Sequence, residues 1–261
     1  MEISVEYKQK RIEIDGKELS YKVAGTGKSF LILHGWGASS NSWMNFVEEM
    51  SGKGFQLIIP DLPGFGKSSD PDISWGSEDY VNIILELIKR LDLKDFYLLG
   101  HSFGGGVALK IATRDGNANK LILCDAAIVR EERLDLRQKI SKMLAAISSK
   151  LVSRNFPGYR FFEKMVYKLA GASDYYRANP AMKEVFKKVV SEDLSFLLDK
   201  VKQPCLIIWG GDDRATPLID GYLLNKEIKD SELKIIVGAR HNPYKTHPKE
   251  TAIAVINFLN K

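Results

Sequence analysis

The hydrophobic residues of this chain follow two alternating patterns. Short, continuous apolar runs are typical of strands buried on both faces of a sheet, and they predict strands at 29–33, 55–59, 96–99, 120–124, 205–209 and 233–237. Between the runs, apolar residues recur at helical spacing and predict helices at 42–50, 76–91, 105–113, about 220–228 and 248–259. This alternation predicts an α/β fold with a mostly parallel central sheet and helices on both faces.

The chain begins differently, with apolar and polar residues in strict alternation. The stretches 2–7 and 11–14 alternate in this way, Asp15-Gly16 is a hairpin-type turn, and 19–24 is the returning strand. We therefore expect β-structure before the first buried strand.

The strand–helix alternation stops at Ala126 and resumes after Pro204. Residues 130–200 have a helical and basic pattern instead. A segment that interrupts such an alternation is an insertion, and both of its ends leave from strand ends at the carboxyl edge of the sheet. The sequence therefore predicts a core made of 1–128 and 203–261, with 129–202 as a helical lid over that edge.

Positive charge is concentrated in the predicted lid. Residues 130–200 hold 15 basic and 9 acidic residues, so they account for the whole net charge of +5. A solvated helical face explains this excess, and so does a docking face for an acidic partner or an anionic substrate.

Composition narrows the class of protein further. A content of 44% hydrophobic and 27% charged residues is ordinary for a soluble globular protein, and no apolar run approaches the ~20 residues that cross a bilayer. The charged start of the chain is unlike a signal peptide, so we expect a cytoplasmic protein with no membrane or nucleic-acid partner. Cys124 and Cys205 each adjoin an apolar run, which predicts buried free thiols, and no cluster of Cys and His has metal-ligand spacing.

One apolar run breaks into a glycine-rich turn that carries a serine. The run 96–99 leads into Gly100-His101-Ser102-Phe103-Gly104 and then into a helical pattern, which is the sequence form of a nucleophile elbow. A serine hydroxyl must be lifted clear of the backbone toward a base, and a turn sharp enough to do so needs small neighbours. Ser102 is therefore the candidate nucleophile.

A second small-residue loop follows the buried run 29–33. His34-Gly35-Trp36-Gly37 places backbone N–H groups at the carboxyl edge of the sheet, where ligands bind in α/β folds. The Trp36 N–H is a candidate oxyanion donor. We expect the His34 side chain only to hydrogen-bond the loop.

A serine nucleophile needs a histidine base. His34 lies in the oxyanion loop, the side chain of His101 should point away from Ser102, and His247 begins the last helix. His241 lies in a loop after the last strand, on the same sheet edge as Ser102, which makes it the candidate base.

The base in turn needs an acid that orients it. Asp213 follows a strand on the same edge and stands between serine and histidine in chain order. Asp212 is its neighbour in the same loop, and Asp125 directly follows the strand after the elbow. Asp213 is the preferred acid, with the other two as alternatives.

Taken together, these motifs resemble those of α/β-hydrolase fold serine hydrolases along the whole chain. The matching stretches are His34-Gly35-Trp36-Gly37, the segment 61–68, Gly100-His101-Ser102-Phe103-Gly104-Gly105, Trp209-Gly210-Gly211-Asp212-Asp213, and the late His241. The resemblance implies a triad of Ser102, Asp213 and His241. It also implies an oxyanion hole made by the N–H groups of Trp36 and Phe103, and no cofactor.

Within that family the chain resembles two kinds of enzyme more loosely. The motifs His34-Gly35-Trp36-Gly37, 61–68, His241-Asn242-Pro243 and His247-Pro248 resemble those of esterases of pimeloyl-carrier-protein methyl ester, although His101 and Phe103 stand where Trp and Leu are usual. That resemblance implies a basic lid that receives an acidic carrier protein, and the basic insertion suits this role. The stretch Trp209–Arg214 resembles meta-cleavage-product hydrolases, although Asn242 stands where they carry Trp.

The sequence thus predicts a carboxylic-ester hydrolase that forms an acyl-enzyme on Ser102. Its expected partners are a small-molecule ester and an acidic carrier protein at the basic lid. The alternatives are a carbon–carbon bond hydrolase with the same triad and an α/β-hydrolase scaffold that binds a ligand without turning it over.

Overall fold

A computed structural model describes residues 6–115, 118–130 and 180–261. Within these ranges the chain forms a single sheet in the order β1-β2-β4-β3-β5-β6-β7-β8. The strands are β1 (Tyr7–Ile14), β2 (Lys17–Ala24), β3 (Lys28–Leu33), β4 (Phe55–Pro60), β5 (Phe96–His101), β6 (Ala118–Cys124), β7 (Cys205–Gly210) and β8 (Ser231–Ile236). β2 pairs antiparallel with β1 and β4, and every other pairing is parallel. The predicted fold class is confirmed.

Helices cover both faces of this sheet. They are α1 (Met44–Glu49), α2 (Ser77–Arg90), α3 (Phe103–Asp115), α4 (Pro180–Val190), α5 (Leu218–Glu227), α6 (Pro243–Thr246) and α7 (Pro248–Leu259), with 3-10 turns at Ser40–Trp43 and Ser195–Lys200. One apolar cluster packs α2, α3 and α5 on the sheet, and a second packs α1, α6 and α7 on the opposite face.

The strand runs are apolar throughout because helices cover both faces of the sheet. In β3, Leu31 and Leu33 enter the first cluster while Phe30 and Ile32 enter the second, and all four side chains are fully buried. A strand with apolar neighbours on both faces has no solvent side, so it shows a continuous apolar run rather than alternation.

Several predicted boundaries were wrong in detail. β1 runs unbroken over Tyr7–Ile14, where the sequence predicted separate strands at 2–7 and 11–14. α3 begins at Phe103 rather than residue 105, because the backbone of Ser102 turns at once from strand to helix. The predicted helix 42–50 divides into the 3-10 turn and α1. β8 ends at Ile236, and Val237 beyond it is 85% exposed.

The predicted lid lies mostly outside the described residues, which omit 131–179. Its described ends return to the core: the N–H of Leu194 donates to the carbonyl of Ile128 at 2.9 Å, and Val185 of α4 is fully buried. The division between core and lid stays a prediction.

Cys124 and Cys205 are buried free thiols, as predicted. Across the described parts of the chain, we find no helix with the length and apolarity needed to span a bilayer.

Candidate active site

The turn between β5 and α3 is tight enough to hold its serine in a strained conformation. Ser102 has φ +52°, a left-handed conformation that side-chain-bearing residues rarely adopt. A Cβ on Gly104 would lie 2.5 Å from the carbonyl oxygen of His34, and one on Gly100 would lie 2.2 Å from the carbonyl oxygen of Gly104. Only glycine at these two positions permits helix and strand to approach so closely. This close approach places Ser102 at the carboxyl edge of the sheet.

Three predicted residues form a hydrogen-bonded row at that edge. His241 follows β8, and its Nε2 lies 3.0 Å from the Oγ of Ser102. Its Nδ1 lies 2.8 Å from Oδ2 of Asp213, in the loop after β7. The other two candidate acids are placed differently: Asp212 is exposed, and Asp125 is buried with a different set of contacts.

Asp213 is surrounded by donors. The Thr216 hydroxyl donates to Oδ2 at 2.7 Å, and the N–H groups of Ala215 and Thr216 donate to Oδ1 at 2.7 and 3.2 Å. Burial alone would raise the pKa of this carboxyl, but the hydrogen bonds, above all that from His241, hold the pKa below its ordinary value. Asp213 is therefore charged at neutral pH and accepts the hydrogen bond from Nδ1 of His241.

Both predicted oxyanion donors border Ser102. Phe103 is the first residue of α3, and Trp36 lies in the loop after β3 with its indole ring 5.6 Å from the Phe103 ring. Within the described ranges neither backbone N–H donates to another group. Two free N–H groups beside a serine hydroxyl are suited to a developing negative charge.

The side chain of His34 has a structural role, as predicted. Its Nε2 accepts from the N–H of Leu62 at 2.9 Å, and its Nδ1 donates to the carbonyl of Gly35 at 2.8 Å. Burial lowers its pKa to about 4, so the ring is neutral and ties two loops together.

His101 makes a contact that the sequence did not indicate. Its Nε2 donates to the backbone carbonyl of His241 at 2.7 Å, and its ring packs against those of His241, Tyr244 and Trp43. Burial, reinforced by repulsion from His241, lowers the pKa of His101 to about 3. A neutral, buried His101 thus anchors the loop that carries the predicted base.

Asp125 also lies next to the row. Its Oδ1 accepts from the N–H of Gly210 at 2.8 Å. Burial and the charge of Asp213 raise the pKa of Asp125 to about 8, against the lowering effect of the Gly210 N–H. Asp125 is therefore a neutral acid at pH 7.

Among the described residues, one group of side chains has the chemical types of a metal site. Ligand atoms of His101, Asp125 and His241 lie within 4.8 Å of one another. Both ring nitrogens of His241 are already engaged by Asp213 and Ser102, and Nε2 of His101 is engaged by a carbonyl. This geometry favours a hydrogen-bonded cluster rather than an ion site.

Two cavities meet at Ser102 and Trp36. The first, of about 770 Å³, is lined by polar side chains that include Asn41, Asn45 and Asn242. The second, of about 680 Å³, has an apolar wall from α3, the segment 127–130 and α4, among them Val107, Val129 and Phe186, and a polar margin that includes Arg130, Glu192 and Asp220. Ser102 therefore lies between a polar compartment and a second one with a largely apolar wall, which we call the apolar compartment.

A serine, a histidine and a carboxylate in a row at the carboxyl edge of an α/β sheet define the class of protein. A model of the alpha/beta hydrolase family matches residues 30–255. The chain belongs to that family.

Individual relatives are more distant. The chain is 26% identical over 271 residues to a 2-hydroxy-6-oxo-6-(2'-aminophenyl)hexa-2,4-dienoic acid hydrolase of Metapseudomonas resinovorans, covering 98% of this chain and 92% of that protein. It is similar in structure to a bromoperoxidase from Bacillus anthracis, with TM-score 0.75, 24% identity and coverage of 97% and 100%. It is also similar to an esterase from Exiguobacterium antarcticum, with TM-score 0.73, 23% identity and coverage of 95% and 97%.

Proposed function

We propose that this protein is a serine hydrolase that cleaves carboxylic esters through an acyl-enzyme intermediate. The observation that carries the proposal is the row of hydrogen bonds from Ser102 through His241 to Asp213, at 3.0 and 2.8 Å. Each group has the partner that its role requires: a nucleophile on a base, and the base on a charged acid.

In the proposed reaction, the Oγ of Ser102 attacks the ester carbonyl while Nε2 of His241 takes its proton. The carbonyl oxygen becomes an oxyanion and accepts hydrogen bonds from the N–H groups of Trp36 and Phe103. The charge of Asp213 stabilises the imidazolium. His241 then returns the proton to the leaving alcohol, and a water molecule activated by the same ring hydrolyses the acyl-enzyme. Loss of one oxyanion donor in enzymes of this kind costs about 3–4 kcal/mol of activation free energy.

The two cavities suggest how an ester lies across Ser102. We expect the apolar compartment beside Phe186 to hold the acyl chain and the polar compartment beside Asn41 and Asn242 to hold the alcohol. A panel of p-nitrophenyl esters of increasing chain length tests this assignment, since kcat/KM should rise with chain length until the apolar cavity is full.

A Ser102→Ala variant tests the mechanism directly. Because the hydroxyl is the nucleophile, we expect ester turnover to fall by about 10⁴-fold or more. Labelling by a fluorophosphonate should disappear in this variant and in His241→Ala. Ser51→Ala, an exposed serine in the turn after α1, is the matched control and should label like the wild type. Unchanged ester turnover in Ser102→Ala would refute the proposal. A wild-type protein that the fluorophosphonate does not label would favour a scaffold that binds a ligand without turning it over.

A second candidate reaction is hydrolysis of a carbon–carbon bond in a vinylogous diketone. The similarity to the dienoic acid hydrolase of Metapseudomonas resinovorans over 98% of this chain favours it. Consumption of a dienoate, followed by its absorbance, in the absence of ester turnover would select this reaction over the first.

The acidic carrier protein stays a prediction of the sequence. Charge reversal at Arg154 or Arg160 tests it, and both residues lie outside the described ranges. A raised, salt-sensitive KM for a carrier-linked ester with unchanged turnover of small esters is the expected result.

A further inference from the structure

One large side chain borders both compartments at Ser102. Among the described residues that line them, only Ser102 and Trp36 belong to both cavities. Ser102 contributes a small hydroxyl, whereas Trp36 contributes an indole that is half-buried. If a side chain separates the polar compartment from the apolar compartment, it is therefore this indole.

Aromatic rings from both compartments contact the indole. The ring of Phe65, which lines the polar compartment, lies 4.9 Å from that of Trp36 between centroids, at an interplanar angle of 81°. The rings of Phe103 and Phe186, which line the apolar compartment, lie at 5.6 and 5.0 Å. Ring pairs at such distances and angles attract one another. The indole is thus held from each compartment, as a partition between them would be.

The backbone around Trp36 carries no other side chain that could divide the cavities. Its chain neighbours are Gly35 and Gly37. A Cβ on Gly35 would lie 2.7 Å from Nδ1 of His101 and 3.0 Å from the Cβ of Ser102, so this loop passes directly against the elbow. The indole therefore leaves the backbone beside the nucleophile, at the point where the acyl and alcohol sides of an ester diverge.

We propose that the indole of Trp36 is a partition that determines which side of an ester can carry a long chain. This role is separate from that of the Trp36 backbone N–H as an oxyanion donor, and it rests on the proposed function. An acyl chain leaves water for the apolar wall that includes Val107 and Val129. A chain of the same length on the alcohol stays among polar groups, because the indole blocks its way to that wall.

A pair of isomeric esters tests the partition. Ethyl hexanoate and hexyl acetate contain the same atoms, with the long and short chains exchanged between the acyl and alcohol sides. Wild-type kcat/KM, measured by acid release in a pH-stat, should be at least about tenfold higher for ethyl hexanoate, since its extra methylenes gain apolar contacts only on the acyl side. Unproductive binding of either isomer does not change this ratio, because it lowers kcat and KM together.

Trp36→Ala keeps the backbone N–H and removes the partition. The chain of hexyl acetate should then reach the apolar wall, and the ratio of the two kcat/KM values should fall to within about threefold of one. A merely structural role of the indole, or a displaced oxyanion donor, lowers kcat/KM for both isomers by the same factor and leaves the ratio unchanged.

Trp75→Ala is the matched control. Trp75 is also half-buried and packs against the ring of Tyr80 at 5.3 Å, but it lines neither cavity. The ratio in this variant should stay at the wild-type value.

An unchanged ratio in Trp36→Ala overturns the proposal, and so does an equal loss of preference in Trp75→Ala. If Trp36→Ala does not fold by circular dichroism, Trp36→Leu decides: the smaller side chain should lower the ratio at least about threefold, and an unchanged ratio there is again a refutation. A wild type that hydrolyses both isomers equally refutes the partition alone. A wild type that hydrolyses neither isomer refutes the proposed function, and the partition with it.

Discussion

A buried lysine joins the helix after the elbow to the end of the predicted lid, and its removal gives a quantitative prediction. Lys110 of α3 has a side chain only 3% exposed. Its Nζ donates to Ser77 Oγ at 2.6 Å, to Glu78 Oε1 at 2.7 Å, and to Glu192. Arg114 also donates to Glu78. The cluster thus connects α2, α3 and the segment that follows α4.

Lys110→Met keeps most of the apolar stem and removes the charge. Loss of one member of a buried ion pair costs about 3–5 kcal/mol, because the partner is left without compensation. The side chains of Glu78 and Glu192 are 50% and 32% exposed, so water recovers part of that loss. We therefore expect the free energy of unfolding to fall by about 2–3 kcal/mol, at the lower end of that range or below it.

The measurement is equilibrium unfolding in urea, supported by a thermal scan in which Tm should fall by roughly 5–10 °C. Lys89→Met is the matched control. It removes an ion pair to Glu86 at 3.5 Å from a lysine that is 79% exposed, and it should cost less than about 0.5 kcal/mol. If both variants are destabilised equally, the buried cluster contributes no more than a surface pair and the reasoning fails.

Lys110→Met should also change the reaction. Ser77 and Glu192 line the apolar cavity beside Ser102, so loosening them should raise KM for long-chain esters more than for acetate esters. A uniform fall in kcat for all chain lengths would contradict this link between the cluster and the cavity.

Three further predictions concern the strand ends. Thr216→Val removes the hydroxyl that donates to Asp213 at 2.7 Å and should lower kcat for a p-nitrophenyl ester about tenfold. Thr216→Ser keeps a hydroxyl and should retain the wild-type kcat. An unaltered kcat in the valine variant would count against a role for this contact. The pKa of Asp125 is raised to about 8 in the folded chain, so the protonated carboxyl contributes to the free energy of unfolding. This contribution is complete at acidic pH and is lost as pH rises from about 4 through 8, by at most roughly 5 kcal/mol. In thermal scans at pH 5, 7 and 9, the Tm of Asp125→Asn should therefore rise relative to that of the wild type as pH increases. A constant difference in Tm would refute this prediction. Gly104→Ala would place a Cβ 2.5 Å from a backbone carbonyl oxygen and should destabilise the fold by about 1–3 kcal/mol in urea, while Gly76→Ala, with open space around it, should cost only a few tenths.

The sequence predicted those parts of the structure that depend on local pattern. Strand runs at 29–33 and 205–209 are continuous because both sheet faces are covered, and that coverage is visible in the run itself. The elbow was predictable for a similar reason, since Gly100 and Gly104 stand beside Ser102 in the chain.

What the sequence did not indicate depends on contacts between distant residues. His101 and His241 are 140 positions apart, and nothing near either residue signals the hydrogen bond between them. Thr216 lies in the loop after β7, and nothing in the local sequence indicates that its hydroxyl contacts both Asp213 and His241. The sequence places Asp125 at the same sheet edge as an alternative acid, but its raised pKa follows from burial in the folded chain and from the nearby charge of Asp213, which local pattern does not indicate.

The meeting of two cavities at Ser102 has a consequence for the order of events in the proposed reaction. Once the alcohol leaves the polar compartment, the acyl group stays in the apolar one and the vacated space lies open beside His241. Water for the second half-reaction then enters from the side that the alcohol left. Under the proposed mechanism a small alcohol added to the solution should enter the same space and compete with water, so we expect transesterification of the acyl group alongside its hydrolysis.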